Sequence, residues 1–132
     1  MHITKESDYA VRIVYCLACG DGRTDAKTIS ERTGVTLRFS LKILNKLVQS
    51  GIVKSYKGAK GGYELELPPK DISLKLIIET IEGTYSLVKC TDPEFECSHN
   101  LQGLCKFKQE FARITQQTNK ELEKVTFDQF LE

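Results

Sequence analysis

Hydrophobic residues recur at three- and four-residue intervals along most of the chain, which is the pattern of helices that bury one face. Thr24 or Asp25 is suited to begin a second helix after the first one, and Thr36 and Gly51 are suited to cap the two ends of a third. The pattern as a whole predicts helices over Thr4–Cys19, 25–33, 36–50, Ile72–Gly83 and Lys106–Lys124.

A different pattern separates the third helix from the fourth. Ile52 and Val53 precede a glycine- and lysine-rich turn, alternating apolar residues follow it, and Pro68-Pro69 closes the segment. Such a pattern predicts a β-hairpin. Helix, corner at Gly34-Val35, helix and basic hairpin together predict a mainly α fold, a winged helix-turn-helix DNA-binding domain. We expect this domain over 1–83, a cysteine-containing loop over 84–105, and a dimerisation helix with its tail over 106–132.

The last helix has a seven-residue apolar repeat and little of its own domain left to cover it. A second copy of the chain is the simplest partner that could bury this stripe. DNA-binding proteins of this kind dimerise to match two half-sites. The repeat therefore predicts a homodimer. Its positions are Phe107, Phe111, Ile114, Thr118, Leu122 and Val125.

Composition and charge narrow the classes of function. The chain has 132 residues, of which 40% are apolar and 28% charged, as in soluble globular proteins. No apolar run reaches the length of a membrane helix and no secretory leader is visible, so we expect a cytoplasmic protein without a membrane partner. No nucleophile–base pair, carboxylate pair or phosphate-binding glycine loop is apparent, and we expect no enzyme.

The net charge of +1 conceals a basic segment. Six basic residues and no acidic residue lie between Thr36 and Tyr63. This distribution favours double-stranded DNA as a partner, although a solvated lysine-rich surface would have the same composition.

The amino end of the third helix is the predicted base-reading element. We assign Leu37 to the buried stripe with Leu41 and Leu44, which turns other residues of this end outward. Phe39 has two interpretations, contact with a thymine methyl or completion of the core between helices. Lysines on the hairpin supply attraction to phosphates. The DNA-binding candidates are Thr36, Arg38, Phe39, Lys42, Lys54, Lys57 and Lys60.

Three cysteines lie in "CTDPEFECSHNLQGLC", at Cys90, Cys97 and Cys105, with gaps of six and seven residues. Zinc sites usually pair cysteines two to four residues apart, so the spacing fits zinc poorly. An iron–sulfur cluster accepts wider spacing. From the residues alone a cluster, zinc, redox thiols and inert cysteines all remain open, and a fourth ligand would be His99 or a carboxylate elsewhere.

Several segments together resemble a known family. "MHITKESDYAVR", "GVTLRFSLKILNKLVQSGIVKS" and "GAKGGYELELPPKDISLKLIIETIEG", followed by the three-cysteine loop, are similar to the winged-helix iron–sulfur transcriptional regulators that include IscR and NsrR. The resemblance implies a dimeric bacterial transcription factor in which Cys90, Cys97 and Cys105 hold the cluster. IscR-like members take a histidine three residues after the third cysteine, and Lys108 stands there instead.

The resemblance is closer to NsrR-like members, which use an aspartate of the partner subunit and a 4Fe-4S cluster that reacts with nitric oxide. Asp8 matches that aspartate, and Arg12 matches the residue that helps to fix it. The expected function is a repressor that senses nitric oxide or redox state. The alternatives are an IscR-like status sensor with a 2Fe-2S cluster, for which His99 is the rival ligand, and a cluster-free thiol or zinc regulator.

Two pairs of residues on the first helix can also be explained without a role in sensing. Asp8 and Arg12 also fit an ordinary surface ion pair. Cys16 and Cys19 fit small buried hydrophobic residues, but a Cys-x-x-Cys pair is also capable of redox chemistry.

Overall fold

A computed structural model of the chain describes residues 2–84, 86–88, 98 and 105–132. It confirms the predicted fold class: helices predominate and a two-stranded antiparallel sheet forms the wing. Short 3-10 segments lie at Pro69–Asp71 and Phe127–Phe130. The regular elements are α1 (Lys5–Cys19), α2 (Ala26–Thr33), α3 (Leu37–Gln49), β1 (Val53–Tyr56), β2 (Gly62–Leu65), α4 (Leu74–Glu82) and α5 (Lys106–Lys124).

Side-chain caps set where the helices of the winged domain begin. Asp25, rather than Thr24, caps α2, and Thr36 caps α3 by accepting a hydrogen bond from the Phe39 backbone N–H. Between these two helices Gly34 has φ of 74°, a left-handed conformation that glycine adopts without steric cost. The caps thus create the sharp corner of the helix-turn-helix.

Helix α1 lies at the centre of the domain and contacts α2, α3 and α4. Its apolar face is completely buried, and one continuous core joins it to the other helices and the base of the wing. The members of this core are Ala10, Ile13, Val14, Leu17, Ile29, Ile43, Leu44, Leu47, Ile52, Val53, Ile72, Ile77 and Phe127.

The predicted buried stripe of α3 is wrong at its amino end. Leu37 and Leu41 are 45% and 44% exposed, and Ser40 is fully buried in the position that the leucines were expected to fill. The Ser40 hydroxyl lies 3.4 Å from the Val35 carbonyl oxygen, to which it donates a hydrogen bond. A small, hydrogen-bonded residue allows α3 to approach the corner closely, and this rotates both leucines outward.

The segment after α5 returns to the winged domain. Phe127 is 2% exposed and its backbone N–H donates to the Ile72 carbonyl at 3.0 Å, while Leu74 N–H donates to the Val125 carbonyl at 2.9 Å. From the sequence, this tail is predicted to belong with the dimerisation helix. The structure adds that the tail anchors the carboxyl end of α5 to the domain that precedes it.

A third segment holds the wing in place. Thr24 and Tyr63 exchange two backbone hydrogen bonds of 2.9 Å, so the start of α2 is tied to β2. A Cβ atom at Gly62 would lie 2.9 Å from the Thr24 backbone, and one at Gly61 would lie 2.5 Å from the Tyr56 carbonyl oxygen. The two glycines are therefore required by close approaches within the chain itself.

Candidate nucleic-acid interface and cluster ligands

The amino end of α3 projects from the domain surface. Thr36, Arg38 and Lys42 are exposed, and Phe39 is 45% exposed. Since Leu37 and Leu41 are exposed beside them, this end presents basic and apolar groups together. Arginine can donate two hydrogen bonds to a guanine, and apolar side chains can contact thymine methyl groups.

Helix α1 contacts this recognition helix through two side chains that the sequence analysis did not identify. The Glu6 carboxylate accepts a 2.8 Å hydrogen bond from Lys46 Nζ, and Lys42 Nζ lies 3.6 Å from the same oxygen. The hydrogen bond from Lys46 lowers the pKa of Glu6, with a smaller electrostatic contribution from Lys42. The rings of Tyr9 and Phe39 meet edge to face, with 6.1 Å between their centroids.

These contacts refine two of the predicted DNA contacts. The Glu6 carboxylate lies near the Lys42 ammonium group, so part of the positive charge of Lys42 is already neutralised within the chain. Phe39 packs against α1 and yet keeps nearly half of its surface exposed, so the two interpretations of this residue are compatible. No local pattern could have identified Glu6 as a contact of α3, because its partner Lys46 lies 40 residues away in the sequence.

On the wing, the lysines differ in their surroundings. Lys54 Nζ lies 3.5 Å from the Glu66 carboxylate, which raises the pKa of Lys54. Lys57 and Lys60 lie at the exposed tip. Of the three predicted phosphate contacts on the wing, Lys57 and Lys60 are therefore the two exposed at the tip, and Lys54 is paired with an acid.

Arg23 is a further basic residue at the wing that the sequence analysis missed. Its guanidinium carbon lies 3.4 Å from the centroid of the Tyr56 ring, and Nη1 donates to the Lys60 carbonyl oxygen at 3.4 Å. The Tyr56 hydroxyl donates in turn to Glu64. Arg23 thus braces the wing and adds positive charge close to its tip.

Asp8 and Arg12 are brought together as predicted. Arg12 Nη2 lies 2.7 Å from Asp8 Oδ2, across one turn of α1, and both side chains are about half exposed. The Arg12 guanidinium also lies 5.5 Å from the Tyr9 ring centroid. Asp8 is therefore held in one orientation on the outer side of α1, with its carboxylate accessible.

Of the predicted thiol ligands, the structure describes Cys105. It is a free, half-buried cysteine at the N-cap of α5, where the exposed backbone N–H groups of the helix favour an anionic ligand. Cys90, Cys97 and His99 lie outside the described residues. Three thiols and a carboxylate are a chemically suitable donor set for an iron–sulfur cluster.

Cys16 and Cys19 occupy the last turn of α1. Cys16 is partly buried, and burial raises the pKa of its thiol against an opposing effect of Arg32. Cys19 is exposed, so its interpretation as a buried hydrophobic residue is wrong. The reason is that Cys19, the last residue of α1, lies off the buried apolar face, whereas Leu17 in the same turn belongs to the core.

These features define a class: the chain is a winged-helix transcriptional regulator. The profile of the Rrf2 family, described as an iron-dependent transcriptional regulator, matches residues 3–132. The chain therefore belongs to the Rrf2 family, which confirms the resemblance to IscR-type regulators.

Individual relatives agree with this assignment. The chain is 31% identical to the HTH-type transcriptional regulator IscR of Aliivibrio salmonicida over 96 residues, which are 71% of this chain and 57% of that protein. Matches to two further curated relatives span 64% and 70% of their lengths, so the chain spans between 57% and 70% of the length of these three proteins.

Two solved structures have similar folds. The structure of T. potens IscR has a TM-score of 0.74 and 26% identity, with 97% of this chain and 84% of that chain covered. CymR, the global cysteine regulator of B. subtilis, has a TM-score of 0.76 and 27% identity, with 97% and 94% covered. Within the described residues, no helix is both long enough and apolar enough to cross a bilayer.

Proposed function

We propose that this chain is a homodimeric repressor that binds an operator in double-stranded DNA and whose DNA affinity depends on an iron–sulfur cluster that responds to nitric oxide or redox state. Cys90, Cys97 and Cys105 of one subunit and Asp8 of the partner subunit would hold the cluster. A 4Fe-4S cluster is the form we favour, with a 2Fe-2S cluster as the alternative.

The observation that carries the proposal is the position of Asp8 between two residues that contact the recognition helix. Glu6 binds Lys46 and Lys42 of α3, and Tyr9 packs against Phe39. A displacement of the first two turns of α1 would therefore be transmitted directly to the helix that reads DNA. Any ligand that binds Asp8 acts on those turns.

Binding to DNA is supported by two neighbouring basic elements. Arg38 projects from the amino end of α3, and Lys57, Lys60 and Arg23 lie at the wing. In a winged helix-turn-helix the first element enters the major groove, and the wing contacts the adjacent backbone or minor groove.

Dimerisation is supported by the exposed stripe of α5. Phe107, Phe111 and Ile114 are 76%, 39% and 39% exposed, and only Thr115 is buried along this helix. Such a contiguous apolar surface is typical of a protein–protein interface.

The residues of the chain have separate tasks in this mechanism. Arg12 holds the Asp8 carboxylate through a 2.7 Å ion pair, and the first turns of α1 transmit its position to α3. An iron–sulfur cluster, when bound, supplies a centre that reacts with nitric oxide or oxygen. Release of Asp8 would then relax α1, change the separation of the two recognition helices, and weaken the fit to two half-sites.

The first test is reconstitution of the full chain with iron and sulfide under anaerobic conditions. We expect a brown protein, and we expect Asp8→Ala to hold the chromophore less stably or to change its response to nitric oxide. Asp21→Ala, which alters another exposed aspartate, is the matched control. A colourless protein that takes up no iron would refute the cluster, and unchanged spectra of Asp8→Ala would remove Asp8 from the site.

The second test separates the DNA-binding and sensing parts of the proposal. An operator selected from random duplexes is titrated with the reconstituted protein before and after addition of nitric oxide. A loss of affinity after addition supports the proposal. Equal affinity in both states would leave a DNA-binding protein without this sensor, and bound zinc in a colourless protein would favour the cluster-free regulator.

A further inference from the structure

The last turn of α1 brings two thiols to the border of a cavity. Cys16 and Cys19 line a cavity of about 360 Å³ together with Arg12, Tyr15 and Arg32. Cys19 also borders a second cavity that is formed with the carboxyl-terminal residues Phe130 and Glu132. Both cysteines are free thiols; Cys19 is exposed, and Cys16 is partly buried at the border of the first cavity.

The spacing of the two residues permits a bond between them. Residues three apart in an α-helix have Cα atoms about 5 Å from each other, within the range seen across disulfides. Cys19 is the last helical residue and Gly20 is already extended, with φ of −83° and ψ of 156°. The closing movement therefore distorts one terminal turn and leaves the rest of α1 intact.

The two thiols have different surroundings, which gives them different roles. Cys19 is exposed and its thiol is close to the Tyr15 hydroxyl, where a hydrogen bond with Cys19 raises the pKa of Tyr15. Cys16 is partly buried, and burial raises the pKa of its thiol although Arg32 acts in the opposite direction. An exposed thiol is the one that meets an oxidant first, and a shielded neighbour then resolves the product.

We propose that Cys16 and Cys19 form a reversible dithiol–disulfide site that reacts with hydroperoxides, separate from the three-cysteine loop. The Cys19 thiolate attacks the peroxide, so that an S–O bond forms, the O–O bond breaks, and the leaving oxygen takes a proton to become water or an alcohol. The Cys16 thiolate then attacks the Cys19 sulfur, an S–S bond forms, and hydroxide leaves and is protonated to water. The two thiols lose two electrons together, and the peroxide gains them.

The disulfide would change the contact between α1 and α2. Arg32, which interacts with the Cys16 thiol, lies in the last turn of α2, two residues before the Gly34 corner. Oxidation converts that thiol into a group with no proton to lose and draws it toward Cys19. The site therefore gives the winged domain a second chemical input that does not require a cluster.

Tryptic cleavage isolates the site for measurement. Cleavage after Arg12 and Arg23 releases residues 13–23, which contain Cys16 and Cys19 and no other cysteine, whereas the loop cysteines fall together in residues 90–106. The full chain is treated with hydrogen peroxide, remaining thiols are alkylated, and the peptides are weighed. After oxidation we expect the peptide of residues 13–23 to be two hydrogens lighter and not alkylated. After treatment with a dithiol reductant, both of its cysteines should become alkylated.

Single variants test the assigned roles. In Cys16→Ser we expect Cys19 to accumulate as a sulfenic acid that dimedone traps. In Cys19→Ser we expect oxidation of Cys16 to be at least about tenfold slower, because the exposed thiol is gone. Equal oxidation rates of the two single variants would overturn the division of roles.

A variant with serine at Cys90, Cys97 and Cys105 separates this proposal from the cluster. We expect the Cys16–Cys19 disulfide to form in it at an unchanged rate, whatever the outcome of the reconstitution. Two free thiols in residues 13–23 after oxidation, or a disulfide that joins this peptide to residues 90–106 in the unmodified chain, would refute the site.

Discussion

Helices α3 and α5 are both amphipathic, but the chain buries only one of their two apolar stripes. On α3 the residues Ile43, Leu44 and Leu47 are completely buried against α1 and the wing. On α5 the first half of the stripe, Phe107, Phe111 and Ile114, stays exposed, and the buried residue is Thr115.

This difference shows that an apolar repeat predicts that one face of a helix is buried, but does not identify the surface that buries it. For α3 the cover lies within the chain, because the helix is short and is folded back by the Gly34 corner. One side of α5 packs against α4, Thr115 accepts a hydrogen bond from the Leu87 backbone N–H, and the tail at the carboxyl end returns to the winged domain. The side of α5 that carries the exposed residues Phe107, Phe111 and Ile114 is therefore the surface that we expect a second subunit to cover.

The largest expected effect concerns the buried stripe of α3. Leu44→Ala removes a fully buried side chain, and we expect the free energy of unfolding to fall by about 2–5 kcal/mol. Leu41→Ala, one turn away and 44% exposed, should cost less than about 1 kcal/mol. Denaturant titration at one protein concentration measures both, and similar losses would contradict the rotation of α3 described above.

The exposed stripe of α5 is tested through the oligomeric state. Phe111→Glu places a charge in the proposed dimer interface, where we expect it to weaken association by about 3 kcal/mol or more because the carboxylate would be buried without a partner. Gln116→Glu adds the same charge on another side of the helix. Analytical ultracentrifugation should give a dimer for the control and a monomer for Phe111→Glu. A variant that remains fully dimeric would remove this stripe from the interface.

The outer face of α3 is tested by DNA binding. Arg38→Ala should weaken binding to a selected operator by about 1–3 kcal/mol and relax the sequence preference at the contacted base pair. Arg113→Ala on α5 is the control, since its exposed side chain pairs with Glu110. An equal loss for all sequences would mean that Arg38 contacts phosphate rather than a base.

The smallest expected effect is the pH dependence of the tie between α1 and α3. The hydrogen bond from Lys46 lowers the pKa of Glu6 from its ordinary 4.5, so the ionised form is favoured in the folded state. The stabilisation is complete above the unfolded pKa and is lost as the pH falls through the lower folded pKa. Because the pair is partly exposed, we expect less than about 1 kcal/mol.

The measurement is the difference in unfolding free energy between the unmodified chain and Glu6→Gln from neutral to strongly acidic pH. This difference should shrink as the pH falls below about 4.5. Glu31→Gln, an exposed control on α2, should show no such change. A difference that stays constant across the acid range would mean that the Glu6–Lys46 pair does not stabilise the fold.

The fold was predictable because its signals are local. Thr36 caps α3 through a hydrogen bond to Phe39 three residues ahead, and Gly51 has φ of 81° just after the helix ends. The α5 bounds also agree with the prediction. The outward rotation of Leu37 was not predictable, because the burial of Ser40 depends on the Val35 carbonyl across the corner.

The contacts of the candidate site also fall into two kinds, those that follow from local spacing and those that depend on the tertiary fold. Asp8 and Arg12 are one helical turn apart, so their ion pair follows from spacing alone. Arg23 and Tyr56 are far apart in sequence, and their stacking appears only when the wing folds back onto the start of α2. The Glu6–Lys46 pair joins two helices in the same long-range manner.

By itself the sequence determined the helices, the corner of the helix-turn-helix and the wing, and it showed which segments carry the cysteines and the basic residues. These features follow from periodicity, helix caps and residue chemistry, which act over a few neighbouring residues. Only the tertiary structure decided which face of α3 is buried, that Glu6 and Tyr9 connect α1 to the recognition helix, and that Cys16 and Cys19 border a cavity. These outcomes depend on contacts between segments distant in the chain, which no local pattern encodes.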